Sequence, residues 1–148
     1  MRIYKVFTAP SGGNLYQSGF PSDVDFMDEN GKVKIDYLLC LSQRSPWYGN
    51  FRTFIWKIDD GPLPEPEHIR TAAKTVELWL GYKQNVLVHC DQGLNRSGLI
   101  TARTMMYFGI QYEDALTMLR ERRDVNVLFN TNFDGWLRTE EVSPKVDT

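Results

Sequence analysis

The chain has 148 residues, 42% of them hydrophobic and 13% aromatic, which is enough for one buried core and too little for two ordinary domains. Seventeen basic against nineteen acidic residues give a net charge of -2, and this balance disfavours nonspecific binding to nucleic acid or to anionic membranes. No run approaches the ~18 apolar residues of a membrane span, and two cysteines are too few for a disulfide framework. We therefore expect a single cytoplasmic domain over residues 1–148, with residues 142–148 as a flexible tail.

The first half of the chain favours strands. Residues 2–7 and 15–19 are predicted as short strands on either side of a turn at residues 11–14. Ser22 is expected to cap a short helix that ends near Gly31. The apolar run at residues 35–41 has the length of a strand, and residues 51–58 alternate enough to form its neighbour.

The second half favours helices. From residue 67 onward, apolar side chains recur at helical spacing until Gly81 ends the pattern: Ile69, Ala72, Ala73, Val76 and Leu80. Residues 86–88 form a short apolar strand, and residues 98–108 are apolar on most faces, as in a central buried helix. Two further helices carry apolar faces at Tyr112, Ala115, Leu116 and Leu119 and at Phe133, Trp136 and Leu137. Elements in this order predict an α/β fold.

Three arginines stand at the end of the helix that begins near Tyr112. Arg120, Arg122 and Arg123 are expected to be solvated or ion-paired there, where positive charge complements the helix dipole.

The most informative segment joins the predicted strand to the predicted central helix, and it reads His89-Cys90-Asp91-Gln92-Gly93-Leu94-Asn95-Arg96-Ser97-Gly98. A loop at such a junction can turn its backbone N–H groups toward an anion, and the helix N-terminus adds partial positive charge. The same dipoles, together with Arg96, stabilise a thiolate on Cys90. The planar guanidinium can also hold two phosphoryl oxygens at once. The segment therefore predicts a phosphate-binding loop with a cysteine nucleophile.

Residues 89–97 resemble the H-C-x-x-G-x-x-R-S signature of the cysteine-dependent protein tyrosine phosphatases. Residues 56–64 look like the acid loop of the small dual-specificity branch, with Lys57 where that branch has proline. The stretch from Tyr112 to Arg123, followed by Asn130 and Phe133, is also similar to that branch. The resemblance implies a dual-specificity phosphatase-like fold, in which helices flank a central, mainly parallel sheet of about four to five strands.

The resemblance assigns a role to each part of the loop. Cys90 is the expected nucleophile, and Arg96 is expected to bind the phosphate together with the backbone of the substrate-binding residues Asp91, Gln92, Gly93, Leu94 and Asn95. No metal and no other cofactor is expected.

Other side chains are expected to assist these residues. Asp60 matches the family's general acid, with Asp59 as the alternative because the reach of neither carboxyl is visible in a sequence. Ser97 matches the catalytic hydroxyl that bonds the cysteine sulfur and eases its departure, or else it is an ordinary helix-start hydroxyl. His89 adjoins Cys90 at a strand end, so it should point away from the phosphate and orient the loop. Asn130 is expected to support the site, as the matching family asparagine suggests.

These residues predict a metal-independent phosphatase that acts on phosphotyrosine in proteins through a phosphocysteine intermediate, with phosphoserine and phosphothreonine left open. The loop contains no lysine, unlike the lipid phosphatases of the superfamily, and this disfavours phosphoinositides. Residues 93–97 also look like the G-x-N-R-T core of the cysteine-type RNA 5'-triphosphatases, so the 5' end of an RNA is an alternative substrate. A phosphoprotein-binding module without turnover is a third reading. We expect no membrane partner.

Cys40 lies within the predicted strand at residues 35–41, where its simplest role is that of a small apolar core residue. In the phosphatases of regenerating liver, a cysteine on the matching strand can form a reversible bond with the catalytic cysteine. Cys40 is therefore also a candidate redox partner of Cys90, provided that its strand pairs next to residues 86–88.

Overall fold

The computed structural model describes residues 1–22, 25–43 and 51–144. The strands are β1 (Tyr4–Thr8), β2 (Asn14–Ser18), β3 (Met27–Asp28), β4 (Gly31–Lys32), β5 (Tyr37–Cys40), β6 (Arg52–Ile55) and β7 (Val86–His89). The helices are α1 (Pro66–Gly81), α2 (Arg96–Tyr107), α3 (Tyr112–Arg122) and α4 (Thr131–Thr139). The hydrophobic periodicity therefore predicts most of these elements correctly, with ends displaced by a few residues.

Five of the strands form one sheet in the order β1-β2-β7-β5-β6. β1 runs antiparallel to β2, and the other neighbouring pairs are parallel. β7 lies at the centre, and every one of its residues is buried because both faces of a central parallel strand are covered. The mainly parallel sheet implied by the family resemblance is confirmed.

Side chains that alternate along the strands pack into two separate cores. The larger core takes Leu15, Leu39, Val86 and Val88 from the sheet, and buried residues of all four helices cover it. The smaller core, on the opposite face, contains Tyr16, Phe26, Ile35, Leu38, Cys40 and Leu87. The helices therefore stand on the face of the sheet that also carries Cys90.

Helix α2 lies at the centre of the larger core, and residues 97–106 are all buried. The two threonine hydroxyls nearest its centre make hydrogen bonds within the helix. Thr101 Oγ1 donates to the Ser97 carbonyl over 2.9 Å, and Thr104 Oγ1 donates to the Ile100 carbonyl over 2.7 Å. The buried central helix expected from the apolar run is confirmed. It begins at Arg96, directly after the loop that follows β7.

The helix predicted between Ser22 and Gly31 is wrong. Residues 27–28 and 31–32 pair instead as the short antiparallel strands β3 and β4, while residues 23–24 lie outside the described ranges. The chain turns here because Asp28 Oδ1 accepts the Asn30 N–H over 2.8 Å and Gly31 adopts a φ of 118°. Asparagine, aspartate and glycine together favour such a turn over a helix.

The residue after α4 ties three helices together. Glu140 accepts hydrogen bonds from Arg70 Nε at 2.8 Å and Nη2 at 2.9 Å, and from Arg103 Nε at 2.9 Å. The side chains of Arg103 and Glu140 are only 6% and 10% exposed, so this ion pair is largely removed from water. The hydrogen bonds from Arg70 lower the pKa of Glu140.

The expected flexible tail is docked where it begins. Val142 packs against the larger core, and the Ser143 N–H donates to the Met106 carbonyl over 3.2 Å. Residues 145–148 of the expected tail lie outside the described residues.

Candidate active site

Cys90 is the first residue after β7, and it is 2% exposed. The backbone N–H of Gly93 donates to Cys90 Sγ over 3.2 Å, and Ser97 Oγ lies 3.4 Å from the same sulfur. The Gly93 N–H can only donate, and a charged acceptor binds a donor more strongly than a neutral one, whereas the proton between the Cys90 thiol and the Ser97 hydroxyl can lie on either group. The structure therefore brings the predicted nucleophile and the predicted assisting hydroxyl together.

Gly93 is required by the way the loop packs on strand β2. Its φ is 71°, in the left-handed region that residues with a side chain rarely adopt. A Cβ atom at this position would lie 2.4 Å from the carbonyl carbon of Ser18. The loop can approach β2 and turn its N–H toward Cys90 only because this residue has no side chain.

Arg96 opens helix α2 and reaches across to the acid loop. Its Nη1 donates to the Ile58 carbonyl over 3.3 Å, and its Nη2 forms an ion pair of 3.3 Å with Asp91 Oδ2. The arginine side chain is 16% exposed, whereas that of Asp91 is 55% exposed. The guanidinium is therefore held between the two loops, with a carboxylate at the solvent side.

The other loop residues are held from outside the loop. The Gln92 carbonyl accepts Nη2 of Arg123 at 3.0 Å, and the Leu94 carbonyl accepts the backbone N–H of Leu128 at 3.3 Å. Asn95 is 3% exposed, and its side chain turns toward the acid loop. Because these carbonyls and this amide are engaged elsewhere, the backbone conformation of the loop is fixed by its surroundings.

Asp60 is held directly over this loop by two amide groups. Its Oδ2 accepts Asn95 Nδ2 at 3.2 Å, and its Oδ1 accepts Asn130 Nδ2 at 2.8 Å. Asp59 is exposed, as Asp60 is, but it makes no hydrogen bond or ion pair with the described residues. The contacts favour Asp60 over Asp59 as the acid, although its catalytic role stays a prediction.

Asn130 both caps helix α4 and anchors the acid loop. Its Oδ1 accepts the N–H groups of Asn132 and Phe133 at 2.9 and 3.3 Å, as an N-cap residue does. Its Nδ2 contacts Gly61 O at 3.1 Å as well as Asp60, and its own N–H donates to Asn95 Oδ1 at 2.9 Å. The resemblance predicts support from Asn130, but the contribution of Asn132, which donates to Gly61 O at 2.9 Å, was missed.

A family model described as the dual specificity phosphatase catalytic domain matches residues 15–143, which include both loops. The chain belongs to this family. The loop of residues 89–97, here called the cysteine loop, and the acid loop of residues 56–64 both lie within this dual specificity phosphatase domain.

Two curated proteins are similar in sequence to parts of this dual specificity phosphatase domain. The Arabidopsis thaliana phosphatidylinositol 3,4,5-trisphosphate 3-phosphatase and protein-tyrosine-phosphatase PTEN1 is 32% identical over 95 residues, which cover 61% of this chain and 23% of that protein. The Mus musculus serine/threonine/tyrosine-interacting protein is 30% identical over 119 residues, covering 73% of this chain and 51% of that protein. The chain thus spans no more than about half the length of either relative.

Solved structures show the same fold. The crystal structure of DUSP15 superposes with a TM-score of 0.75 at 24% sequence identity, covering 93% of this chain and 85% of that one. At this level of identity the likeness shows the arrangement of the dual specificity phosphatase fold and not the substrate.

His89 is the last residue of strand β7 and directly precedes Cys90. It is fully buried, and its ring packs edge-on against Phe20 with the centroids 5.6 Å apart. Burial lowers the pKa of His89 to about 4, so the imidazole is neutral near neutral pH. The orienting role expected for His89 stays a prediction.

The arginines at the end of α3 each bind a backbone carbonyl, and only Arg122 is also exposed as expected from the sequence. Arg120 Nε donates to the Val127 carbonyl at 3.1 Å, Arg122 Nη1 to the Val6 carbonyl at 2.9 Å, and Arg123 Nη2 to the Gln92 carbonyl at 3.0 Å. A single sequence does not show which carbonyls a fold leaves without a donor, so these partners were missed. Arg123 thereby helps to hold the backbone of the cysteine loop.

Cys40 and Cys90 are both buried, and they are not joined by a disulfide in the structure. β5 pairs next to β7, as expected, with Cys40 opposite His89. Cys40 nevertheless belongs to the smaller core, whereas Cys90 belongs to the larger core on the other face of the sheet. Its Sγ contacts the Ser42 carbonyl at 3.4 Å, and burial raises the pKa of this thiol. The disulfide with Cys90 stays a prediction.

The described residues contain neither a cluster of metal ligands nor a membrane-spanning helix. In the part of the chain that the structure describes, no group of three or more histidine, cysteine, aspartate or glutamate side chains could hold a metal ion. Over the same residues, no helix is both long enough and apolar enough to span a lipid bilayer.

Proposed function

We propose that this chain is a metal-independent protein phosphatase that hydrolyses phosphotyrosine through a phosphocysteine intermediate, with phosphoserine and phosphothreonine as further candidate substrates. One observation carries the proposal: Cys90, Ser97, Arg96 and Asp60 converge around a single loop. A thiol, a hydroxyl, a guanidinium and a carboxyl so placed supply a nucleophile, a stabiliser of the leaving sulfur, a phosphate ligand and a proton donor.

The first chemical step transfers the phosphoryl group to the enzyme. The Cys90 thiolate attacks phosphorus in line, and the bond from phosphorus to the ester oxygen breaks. The carboxyl of Asp60 gives its proton to the departing oxygen, which a phenoxide or an alkoxide needs in order to leave. The N–H groups of the loop and the Arg96 guanidinium stabilise the equatorial oxygens.

The second step releases inorganic phosphate. The Asp60 carboxylate takes a proton from a water molecule, whose oxygen attacks phosphorus as the bond from phosphorus to sulfur breaks. The electron pair returns to Cys90 as a thiolate, which accepts a hydrogen bond from Ser97. The enzyme is thereby regenerated without an external reductant or metal.

The charge of the loop supports a phosphorylated protein over a polyanionic lipid. The Arabidopsis relative is named as both a phosphoinositide and a protein-tyrosine phosphatase. In this chain, however, the cysteine loop contains no lysine, and the carboxylate of Asp91 stands 3.3 Å from Arg96 Nη2. A carboxylate at this position repels additional phosphate groups next to the one that is bound.

The RNA alternative rests on residues 93–97, of which Asn95 is the most distinctive. Its amide is engaged with Asp60 and its carbonyl oxygen with the N–H of Asn130. These contacts give Asn95 a role within the protein, so they supply no reason to assign an RNA substrate.

The proposal is tested by the release of phosphate in EDTA from an aryl phosphate, from phosphotyrosine and phosphoserine peptides, and from a 5'-triphosphorylated RNA. We expect turnover of the aryl phosphate and of the phosphotyrosine peptide, and none by a Cys90→Ser control. Preference for the RNA would replace the proposed substrate. Tight binding of phosphopeptide without any turnover would instead identify a binding module, for which the mouse relative's name, an interacting protein, offers a precedent.

A further inference from the structure

Gln17 is a fully buried polar residue on strand β2 that the proposed chemistry does not use. Side chains alternate along the strand, so Gln17 faces helix α2 on the same side of the sheet as Leu15. A buried amide is costly unless its hydrogen bonds are made. Those of Gln17 are made: its Nε2 donates to the Gly93 carbonyl at 3.0 Å and to Ser97 Oγ at 2.9 Å.

The orientation of this amide follows from its partners. The Gly93 carbonyl can only accept a hydrogen bond, so the group that faces it must be the NH₂ of Gln17 and not the oxygen. Gln17 Oε1 then faces Thr101 Oγ1 at 3.4 Å. The Thr101 hydroxyl donates over the shorter distance to the Ser97 carbonyl, so the orientation rests on the Gly93 contact. The second N–H of Gln17 therefore points at Ser97 Oγ.

This second N–H determines what the Ser97 hydroxyl can do. A hydroxyl has one proton and two lone pairs, and one lone pair of Ser97 Oγ is occupied by Gln17. The proton of Ser97 therefore cannot be donated toward Gln17. A protonated Cys90 thiol can donate to the second lone pair, but when Cys90 is a thiolate its Sγ, 3.4 Å from Ser97 Oγ, is the acceptor that remains in contact.

We propose that Gln17 is a positioning residue that directs the Ser97 hydroxyl proton at the sulfur of Cys90. The inference rests on the proposed phosphatase activity and assigns a residue to its second step. When the bond from phosphorus to sulfur breaks, the electron pair and negative charge return to Cys90. A hydroxyl that already points at the sulfur stabilises this charge without reorienting. Gln17 itself does not touch the substrate and transfers no proton.

The test compares Gln17→Leu and Gln17→Asn with the wild type. Leucine has a similar size and no amide, whereas asparagine keeps the amide but is one methylene too short to reach Ser97. Hydrolysis of the phosphocysteine should become roughly tenfold slower, the lower end of what a hydrogen bond to a charged group contributes. Formation of the phosphocysteine should change less, so phosphoenzyme accumulates and rapid-quench experiments on an aryl phosphate show a burst of product.

A double-mutant cycle separates this role from a loss of packing. If Gln17 acts through Ser97, then Gln17→Leu should have little further effect on dephosphorylation in a Ser97→Ala background. Ser18→Ala is the matched control, because this hydroxyl is also buried on β2 but donates to the Gly19 carbonyl. We expect no burst with that variant. Thermal melting of each protein identifies a variant that is unfolded, and Gln17→Asn serves if Gln17→Leu does not fold.

The rate of alkylation of Cys90 by iodoacetamide gives a readout that needs no turnover. We expect Gln17→Leu and Ser97→Ala to slow this reaction alike and not additively, since both remove the same hydrogen bond to the thiolate. Equal slowing of both chemical steps, or full additivity with Ser97→Ala in either assay, would overturn the role of Gln17. If the wild type shows no turnover but Gln17→Leu and Ser97→Ala still slow alkylation non-additively, the proposed phosphatase activity would be contradicted and the positioning role would remain intact.

Discussion

The cysteine loop and the acid loop meet at Asp60, but they are held in different ways. Cys90 is buried, and Gly93 and Ser97, both within a few residues of it, contact its sulfur directly. The acid loop carries an exposed carboxyl whose two hydrogen-bond donors, Asn95 and Asn130, stand 35 and 70 positions away in the sequence. The groups that contact the sulfur therefore come from the same loop, whereas the groups that hold the acid come from distant parts of the chain.

This difference also bears on movement. Segments with few buried apolar contacts and exposed hydrogen bonds open at low free-energy cost, whereas buried networks open only with large parts of the fold. The cysteine loop should therefore keep its shape whether or not substrate is bound. The acid loop should be the part whose anchoring decides how often Asp60 is in place.

The largest expected effect separates bond formation from binding within the cysteine loop. Cys90→Ser and Arg96→Ala should each reduce turnover by roughly 10⁵-fold or more, the scale typical of losing a member of a catalytic group. Cys90→Ser should still bind vanadate or tungstate, because the backbone cradle and Arg96 remain, and calorimetry checks this. Appreciable hydrolysis of an aryl phosphate by purified Cys90→Ser would refute the covalent mechanism.

The next largest effect concerns the acid loop. Asp60→Asn should slow turnover of substrates with poor leaving groups by roughly 10²- to 10⁴-fold, because their oxygen then leaves without a proton. Asp59→Asn is the matched control and should do much less, since Asp59 does not contact Asn95 or Asn130. Steady-state rates over a pH series measure both. The reverse ranking would show that Asp59 is the acid.

A third change disrupts the cysteine loop through its backbone. Gly93→Ala places a side chain at a φ of 71° and a Cβ atom 2.4 Å from the Ser18 carbonyl carbon. We expect the free energy of unfolding to fall by roughly 2 to 4 kcal/mol, from backbone strain and overpacking together. Gly135→Ala is the control, because a Cβ there meets no atom within 4 Å in helix α4. Urea denaturation measures both, and equal stability of the two variants would show that the loop can relax.

A smaller effect tests the anchoring of the acid loop. Asn130→Asp should keep the cap of α4, because aspartate caps helices about as well as asparagine, but it replaces the amide that holds Asp60 with a second carboxylate. Turnover of substrates with poor leaving groups should fall about tenfold, in line with one lost hydrogen bond to a charged group, while the melting temperature changes little. Asn130→Ala should lose both activity and about 1 kcal/mol of stability. If Asn130→Asp retained full activity, the contact with Asp60 would be irrelevant to catalysis.

The smallest effect concerns Cys40 and appears only after oxidation. Peroxide should inactivate the wild type reversibly, with recovery in dithiothreitol, and Cys40→Ser should recover less because Cys90 then proceeds to irreversible oxidation states. The crosslink requires Cys90 to leave its contacts with Gly93 and Ser97, since the two thiols lie in cores on opposite faces of the sheet. Peptide mass spectrometry after mild oxidation detects it. Equal recovery of both proteins would return Cys40 to a purely structural role.

The sequence predicts a structural feature well where the residues that determine it lie near one another along the chain. Helical spacing predicts α1 and α3, and the spacing of Cys90, Gly93, Arg96 and Ser97 predicts their convergence, because one turn between a strand and a helix contains them all. The segment from Ser22 to Gly31 misled because a helix cap and an Asx turn begin with the same residue types. The contacts of Gln17 with Ser97 and of Arg123 with Gln92 were not predicted, because these residues become neighbours only when the sheet and helices assemble.

The ion pairs of Glu140 have a consequence for how this domain can be divided or fused. A fragment that ends at residue 139 would keep every helix but leave the Arg103 guanidinium buried without its carboxylate. An unpaired buried charge typically costs about 3 to 5 kcal/mol, which is a large part of the stability of a small domain. The C-terminal limit of an independently folding unit is therefore set by this one carboxylate beyond the last helix, and a linker to another module should begin after Ser143, whose N–H still bonds Met106.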